Sequence, residues 1–295
     1  MVSIAFYVMN SKGLYTLRSF IEKFGSSTIC YVVCSKDKGL EYDAYEDIKN
    51  ISINNNIEFY DRLQFDENSK ADFTGVKFAI GWRWLIENKK NLIVFHDSLL
   101  PKYRGFSPLV NSLINKESQG GVTALFAEDR YDEGKIIDQK SISFSYPLKI
   151  EQAIQQIQPL YFELVRDTYI KLKNEKSLIS SAQDHENASY SCWLDEQDYF
   201  IDWSWSAEKI KLFVDAVGFP YGCAKAILKE QIIIFREVAI MAEVLIEGRQ
   251  RHLGKVIFNE DNVPVVVCCS GLLKLNRITD IHGNDISINF RSRFQ

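Results

Sequence analysis

No stretch of this 295-residue sequence reaches the roughly 18 uninterrupted apolar residues that a membrane span needs. The opening Met-Val-Ser-Ile-Ala-Phe-Tyr-Val lacks the basic n-region and the small-residue cleavage site of a secretory signal, so it reads as a buried strand, and a cytoplasmic protein is expected. Six cysteines, Cys30, Cys34, Cys192, Cys223, Cys268 and Cys269, contain no Cys-x-x-Cys pair, which predicts reduced core thiols rather than disulfides or zinc ligands. Basic charge is also short. With 35 Lys and Arg against 39 Asp and Glu, the net charge of −4 argues against a broad nucleic-acid surface, whose affinity comes from neutralising phosphates. The turn Met9-Asn10-Ser11-Lys12-Gly13 lacks the G-x-G-x-x-G spacing that lets a backbone approach a pyrophosphate, which disfavours NAD. Internal repeats and low-complexity segments are missing too.

What is present is the composition of a soluble globular protein, 46% hydrophobic and 25% charged, with a length that suits a large domain and a smaller companion. Short apolar runs at Ile4–Met9, Thr28–Cys34, Phe78–Ile80 and Leu92–Phe95 alternate with amphipathic stretches such as Leu14–Phe24. This rhythm predicts an α/β fold with a doubly wound, mostly parallel sheet and ligand crevices beyond the carboxyl ends of its strands. Between Lys149 and Lys173, Ile150, Ala153, Ile154, Ile157, Leu160, Tyr161 and Leu164 recur at three and four, which predicts one long helix. The polar stretch Ser180–Ser189 has few groups to bury and reads as an interdomain linker. The expected division is a catalytic domain over 1–180, a linker over 181–194 and a C-terminal domain over 195–295. That last domain carries a Trp-rich segment, a helix at Ala207–Val217 and short strands at Gln231–Phe235, Lys255–Phe258, Val263–Cys269 and Leu272–Leu275, which suit a small β-barrel.

The run Leu92-Ile93-Val94-Phe95-His96-Asp97-Ser98-Leu99-Leu100-Pro101-Lys102-Tyr103-Arg104-Gly105 places a histidine where a buried strand meets a Pro/Gly-bounded loop. Further on, the strand Gly121–Phe126 is followed by Tyr131-Asp132-Glu133-Gly134-Lys135-Ile136-Ile137. Asp132 then tops a second strand, from which its carboxylate can orient the imidazole and stabilise the imidazolium formed when His96 takes a proton.

These residues resemble the N10-formyltetrahydrofolate-dependent formyltransferases, whose signature is Asn-x-His-x-Ser-Leu-Leu-Pro-x-Tyr-Arg-Gly followed by Gly-Val-Thr and Asp-x-Gly-x-Ile-Ile. Beyond the polar stretch, Ile201-Asp202-Trp203-Ser204-Trp205-Ser206-Ala207 and Pro220-Tyr221-Gly222 are similar to the family's Ile-Asp-Trp-x-x-x-Ala and Pro-Tyr-Pro-Gly elements. The second domain narrows the resemblance to methionyl-tRNA formyltransferases and sugar-nucleotide N-formyltransferases. The acidic balance favours the sugar enzymes, because a tRNA formylase is expected to carry an inserted basic loop that the 36–50 region does not supply.

The resemblance implies formyl transfer from N10-formyltetrahydrofolate to a nucleotide-linked amino-deoxy sugar, a 4-amino-4,6-dideoxyhexose on UDP or dTDP. No metal, nucleic acid or membrane is involved, and a homodimer is common in that family. His96 is the expected base and Asp132 its orienting partner. On the folate side the resemblance implies Trp82, Arg83 and Trp84, with Leu99, Tyr103, Arg104 and Gly134; Trp82 and Trp84 also read as core, and Arg104 as the partner of a buried carboxylate. Lys36 and Lys38 in the turn Ser35–Gly39 are expected near the diphosphate, with Lys12 and Gly13 at the first helix start. Trp193, Trp203 and Trp205 read as interdomain packing, and His185, His252 and His282 as surface residues.

One position departs from the signature. Alignment of the Asn-x-His…Asp triad puts Val94 where the family has asparagine. Formyl transfer develops an oxyanion, and losing one preorganised donor costs about 10²–10³ in rate. Asn91 and Asp97 have the opposite strand parity to His96, so neither replaces the amide. Three readings follow: another donor such as Ser98, a backbone N–H or water serves the oxyanion; the imidazolium of His96 carries it alone; or the chain is a catalytically silent folate or nucleotide-sugar binder.

Overall fold

The computed structural model describes residues 2–175 and 177–295, which divide into two compact units. The first comprises the chain up to Leu109 together with Ser118–Phe144 and Gln152–Trp193, and the second comprises Val110–Glu117, Ser145–Glu151 and Leu194–Gln295. The order of elements up to Ser191 is β1 (Ile4–Val8), α1 (Asn10–Phe24), β2 (Ile29–Cys34), α2 (Tyr45–Asn54), β3 (Glu58–Asp61), β4 (Val76–Ile80), β5 (Leu92–His96), β6 (Arg104–Gly105), α3 (Pro108–Ile114), β7 (Gln119–Phe126), β8 (Ile136–Ser143), α4 (Ile150–Glu175) and β9 (Tyr190–Ser191), with most of α3 counted in the second unit. Among the described residues no helix is long and apolar enough to cross a membrane.

Seven strands form one sheet in the order β3-β2-β1-β4-β5-β7-β8. The first five run parallel, whereas β7 pairs antiparallel with β5 and with β8. Every residue of β1 and of β4 is buried, as expected of parallel strands covered on both faces. On one face Phe6 meets Phe20 of α1 and Phe78 edge-on at 5.3 and 5.7 Å, and Phe78 meets Phe95 at 5.4 Å. On the other, Ala5, Tyr7, Tyr31, Val33 and Ala79 form a core against which Phe65, Phe73, Trp82 and Val94 pack. Tyr169 of α4 lies 5.2 and 4.8 Å from the rings of Phe20 and Phe24, which ties the long helix to α1. The order of strand addition turns back between the parallel neighbours β1 and β4, which makes their carboxyl ends, where Met9-Asn10 and Gly81-Trp82 leave their strands, the switch point at which such sheets offer a ligand crevice. Gly81 sits there at φ +61, and a Cβ on it would fall 2.6 Å from the Asn10 amide.

Residues 181–193 do not behave as a linker. Ser181 and Ile136 exchange two backbone hydrogen bonds of 2.8 Å, β9 pairs in parallel with β6, and Gln183 is only 6% exposed. The segment belongs to the first unit because its polar groups find partners there, an outcome that low hydrophobicity alone does not reveal.

In the second unit α5 (Ala207–Ala216) is capped by Ser206, whose hydroxyl accepts from the Lys209 amide. Strands β10 (Ala224–Leu228), β11 (Gln231–Met241), β12 (Val256–Glu260), β13 (Val263–Val267) and β14 (Leu272–Thr279) form an antiparallel sheet ordered β10-β11-β14-β13-β12. The barrel-like character lies in the C-terminal residues. Gln295 exchanges backbone hydrogen bonds with Ile227 on β10, while Ser292 accepts from Val256 on β12 and Phe294 donates to Gly254, so one short segment bridges both edges. Trp203 stacks on Phe294 at 5.3 Å and Trp205 meets Phe213 at 5.4 Å, both inside this unit. Trp193 is 65% exposed and lies edge-on to Phe106 at 5.7 Å. Packing between domains, expected for all three, is therefore replaced by packing within a unit. The cysteines are all free; Cys34, Cys223 and Cys268 are buried as expected, but Cys30 and Cys192 are exposed.

Candidate active site

β5 ends on His96 because its apolar run stops there, and antiparallel pairing sets His96 opposite Thr123 of β7. The loop between β7 and β8 then returns Asp132 to the ring. His96 Nε2 lies 2.8 Å from the carbonyl oxygen of Tyr103, and Nδ1 lies 3.5 Å from Asp132 Oδ2. The two side chains are 8% and 13% exposed. Asp132 Oδ2 also accepts the Gly105 amide at 2.9 Å. Both groups facing the imidazole are acceptors, so the ring is fully satisfied only as an imidazolium; in the neutral form the Nε2 proton goes to Tyr103 and Nδ1 is left to accept. Tyr103 and Asp132 hold left-handed backbone conformations, φ +59 and +55, which side-chain-bearing residues adopt only when their surroundings impose them.

The loop after His96 is held from below. The Ser98 hydroxyl donates to the Lys102 carbonyl at 2.7 Å. Thr123 donates its hydroxyl to the Ser98 carbonyl and accepts the Leu100 amide, and Gln139 donates to both Leu100 and Thr123. The Ser98 hydroxyl proton is thus engaged in holding the loop. Arg104, 1% exposed, places Nε and Nη2 on Gln183 Oε1 at 3.1 and 2.8 Å and Nη1 on the Tyr190 hydroxyl, which donates to Glu133 at 2.6 Å. Its guanidinium is thus held by side chains of the 183–190 segment. The Tyr190 hydroxyl bond holds the Glu133 carboxyl below its usual range. Gly134 is required for close approach, since a Cβ there would lie 1.8 Å from the Phe126 carbonyl oxygen. Leu99 is half-buried, against Gly121.

Val94 is half-buried, in register with Ala79 and Leu125, on the same strand face as His96. Its apolar partners explain how valine is accommodated there. The remaining expected residues fall into two groups. Trp82 and Trp84 meet edge-on at 5.3 Å, and Trp82 also packs on Tyr7; its indole N–H is buried without a hydrogen-bond partner. Arg83 pairs with Asp37, which is buried and also accepts the Gly39 amide, so the turn carrying Lys36 and Lys38 is built around a carboxylate. Lys36 points outward, 3.1 Å from Glu46, and Lys38 is exposed. Lys12 is buried and ion-paired with Asp97, and a Cβ-free Gly13 lets α1 approach Val8. Neither Lys12 nor Gly13 is presented as an open phosphate cradle. An open basin of about 940 Å³, lined by Lys89, Ala127, Glu128, Asp129, Arg130, Glu133 and His185, adjoins Asp132 along the β7–β8 loop. Among the described residues no cluster of three or more His, Cys, Asp or Glu is placed to hold a metal ion.

Two family models match this chain, one described as formyl transferase over residues 80–160, the other as formyl transferase, C-terminal domain, over residues 194–292. The chain belongs to the formyl transferase family. The first match holds β5, His96, Asp132 and the loop between them, and the second holds the antiparallel sheet. Similar curated formyl transferases include methionyl-tRNA formyltransferase of Thermodesulfovibrio yellowstonii, 31% identical over 63% of this chain and 58% of that protein. That of Flavobacterium johnsoniae is 24% identical over 76% and 74%. The matched stretch thus spans under three fifths of the first relative's length. Among solved structures, an N-formyltransferase from Helicobacter canadensis in complex with folinic acid and dTDP-3-aminofucose has a TM-score of 0.67 at 16% identity, covering 93% of this chain and 99% of that one. WlaRD, a sugar 3N-formyl transferase in the presence of dTDP and 5-N-formyl-THF, has a TM-score of 0.64 at 18% identity over 94% and 99%. HypX from Aquifex aeolicus in complex with tetrahydrofolic acid has a TM-score of 0.63 at 14% identity, over 97% of this chain and 46% of that one. At these identities the likeness is one of fold.

Sequence reasoning missed Gln183, Tyr190, Glu133, Thr123 and Gln139 as parts of the site. The pattern Gln-x-x-x-x-Ala-Ser-Tyr inside an otherwise polar stretch was the one available signal for Gln183 and Tyr190.

Proposed function

We propose that this chain is a sugar N-formyltransferase that moves the formyl group of N10-formyltetrahydrofolate to the amine of a nucleotide-linked amino-deoxy sugar, a 4-amino-4,6-dideoxyhexose. The observation that carries the reading is the His96 ring set between two acceptors, Tyr103 O and Asp132 Oδ2, at the mouth of β5. Two structural neighbours that hold folate derivatives together with dTDP or a dTDP-sugar support the substrate classes.

The residues fit a folate. The unpartnered indole N–H of Trp82 beside the switch-point crevice offers a buried donor to a ring acceptor. Lys89 and the exposed Arg130 at the basin rim, paired with Asp129 and Glu133, are the cations offered to the carboxylates of its tail. N10-formyltetrahydrofolate supplies an activated formyl group when bound. His96 accepts the amine proton at Nδ1, with Nε2–H anchored on Tyr103, and Asp132 balances the new positive charge. The proton is returned from Nδ1 to the departing folate nitrogen, which leaves His96 neutral again. Holding the amine against the formyl carbon supplies the proximity term. Lys36 and Lys38, exposed on the turn after β2, are the side chains offered to the diphosphate.

Incubation with formyltetrahydrofolate and a panel of UDP- and dTDP-linked amino sugars, read by product mass, tests this. Formylation of one of them that is lost in His96→Asn supports the reading, and formylation of none rejects it. The curated relatives favour a second reading, methionyl-tRNA as acceptor. Binding of initiator tRNA with a steep salt dependence, and its formylation, would select that reading.

A further inference from the structure

We propose that the polar segment 181–191 is a brace that fixes both groups facing the His96 ring, and that Gln183 is its positioning residue. The inference rests on the reading of His96 and Asp132 as the reacting pair and goes beyond it in assigning work to a segment with no contact to the imidazole.

Gln183 is buried, and its amide is used to capacity. Oε1 accepts Arg104 Nε and Nη2 at 3.1 and 2.8 Å; Nε2 donates to the carbonyls of Asp132 and Gly134 at 2.6 and 2.8 Å. Two acceptor sites and two N–H groups are all that a carboxamide has. Its donors therefore clamp the backbone on either side of Glu133, in the turn where Asp132 sits at φ +55. That turn aims the Asp132 carboxylate at His96 Nδ1 and the Gly105 amide. The other end of the segment reaches the opposite side of the ring. The Ser189 hydroxyl accepts the Tyr103 amide at 2.9 Å, its carbonyl accepts the Arg104 amide at 2.8 Å, and its own amide donates to Pro101. Tyr103, at φ +59, is the residue whose carbonyl meets His96 Nε2. Both left-handed residues beside the imidazole are thus hydrogen-bonded by one segment, and their conformations persist because that segment over-determines them.

Gln183→Glu separates the brace from its alternative, in which the side chain merely satisfies buried Arg104. The variant keeps both bonds to the guanidinium and strengthens them with charge, but it sets a carboxylate oxygen against the Asp132 and Gly134 carbonyls. If the donors position Asp132, kcat falls roughly tenfold or more with KM retained, since orientation of the base supports the chemical step rather than ground-state binding. In an Asp132→Asn background the same change has no further effect on kcat, whereas a general structural defect would add to it. Independently of activity, the Gly105 amide, which donates to Asp132, exchanges faster with solvent in Gln183→Glu than in the parent. Retained kcat with unchanged Gly105 exchange overturns the proposal. Should Gln183→Glu fail to fold, Ser189→Ala at the exposed end carries the test, with a severalfold lower kcat expected and an unchanged kcat against it. If the parent forms no formylated product, the proposed function falls, while Gly105 exchange still decides whether Gln183 holds Asp132.

Discussion

Nε2 of His96 lies 2.8 Å from the carbonyl oxygen of Tyr103. Both neighbours of the ring only accept, and the carbonyl is within hydrogen-bond distance whereas Asp132 Oδ2 lies 3.5 Å from Nδ1, so the neutral ring carries its proton on Nε2 and presents its lone pair at Nδ1, toward Asp132. Long-range ¹⁵N–¹H NMR of the imidazole, with only four histidines to assign, is expected to show the Nε2–H tautomer. An Nδ1–H tautomer in the neutral protein would reverse the assignment of the proton-accepting nitrogen.

Val94 packs toward the core of Ala5, Tyr7 and Ala79 and shares a strand face with His96. Val94→Asn puts a carboxamide among apolar neighbours, with an expected stability loss of about 1–3 kcal/mol in urea unfolding at unchanged m. The same amide points to the side where His96 works, so turnover is expected to rise. A lower kcat at constant KM would mean that the oxyanion is already served by a group that the amide displaces.

Lys12 and Asp97 form an ion pair whose side chains are 7% and 10% exposed. Removing one partner strands a charge, so Lys12→Met and Asp97→Leu are each expected to destabilise by about 3–5 kcal/mol. The double variant is expected to regain most of that loss. Nucleotide affinity should survive in folded Lys12 variants, because the ammonium is spent on Asp97; calorimetric titration with dTDP or UDP reads this, and a large drop would return Lys12 to the phosphate site.

Burial holds the Asp215 carboxyl of α5 above the usual carboxylate range, although the Lys211 ammonium donates to it and opposes the shift. The folded chain therefore binds this proton more tightly than the unfolded one. Stability from Asp215 is greatest at low pH and is lost as pH rises from about 4 through the raised value. Asp215→Asn is expected to remove that loss, so its stability relative to the parent should grow with pH across this window in urea unfolding. A difference that is flat or shrinks with pH would contradict the assignment.

The parallel strands were legible because their apolar runs are short and buried on both faces, and α1 and α4 because apolar residues recur along one side. The antiparallel course of β7 and β8 was not, since pairing direction depends on how the chain returns and not on composition. The hairpin turns at Lys229-Glu230 and Asp261-Asn262 both have positive φ at their two central positions, yet only the second carries residue types that announce it. The loop from His96 to Gly105 stood out through its resemblance to a known signature, whereas Gln183 was hidden because its three partner residues lie 49 to 79 residues away.

The sequence by itself determined the α/β class, the helix and strand framework, the pairing of His96 with Asp132, and the valine in place of an amide at position 94. Those are local facts of residue type, periodicity and motif. Tertiary structure decided that Arg104 and Ser98 serve the loop, that Lys12 is neutralised by Asp97, and that residues 181–191 grip the groups on both sides of the imidazole. A buried hydrogen bond has value only when donor and acceptor meet away from water, and folding alone determines which distant groups meet.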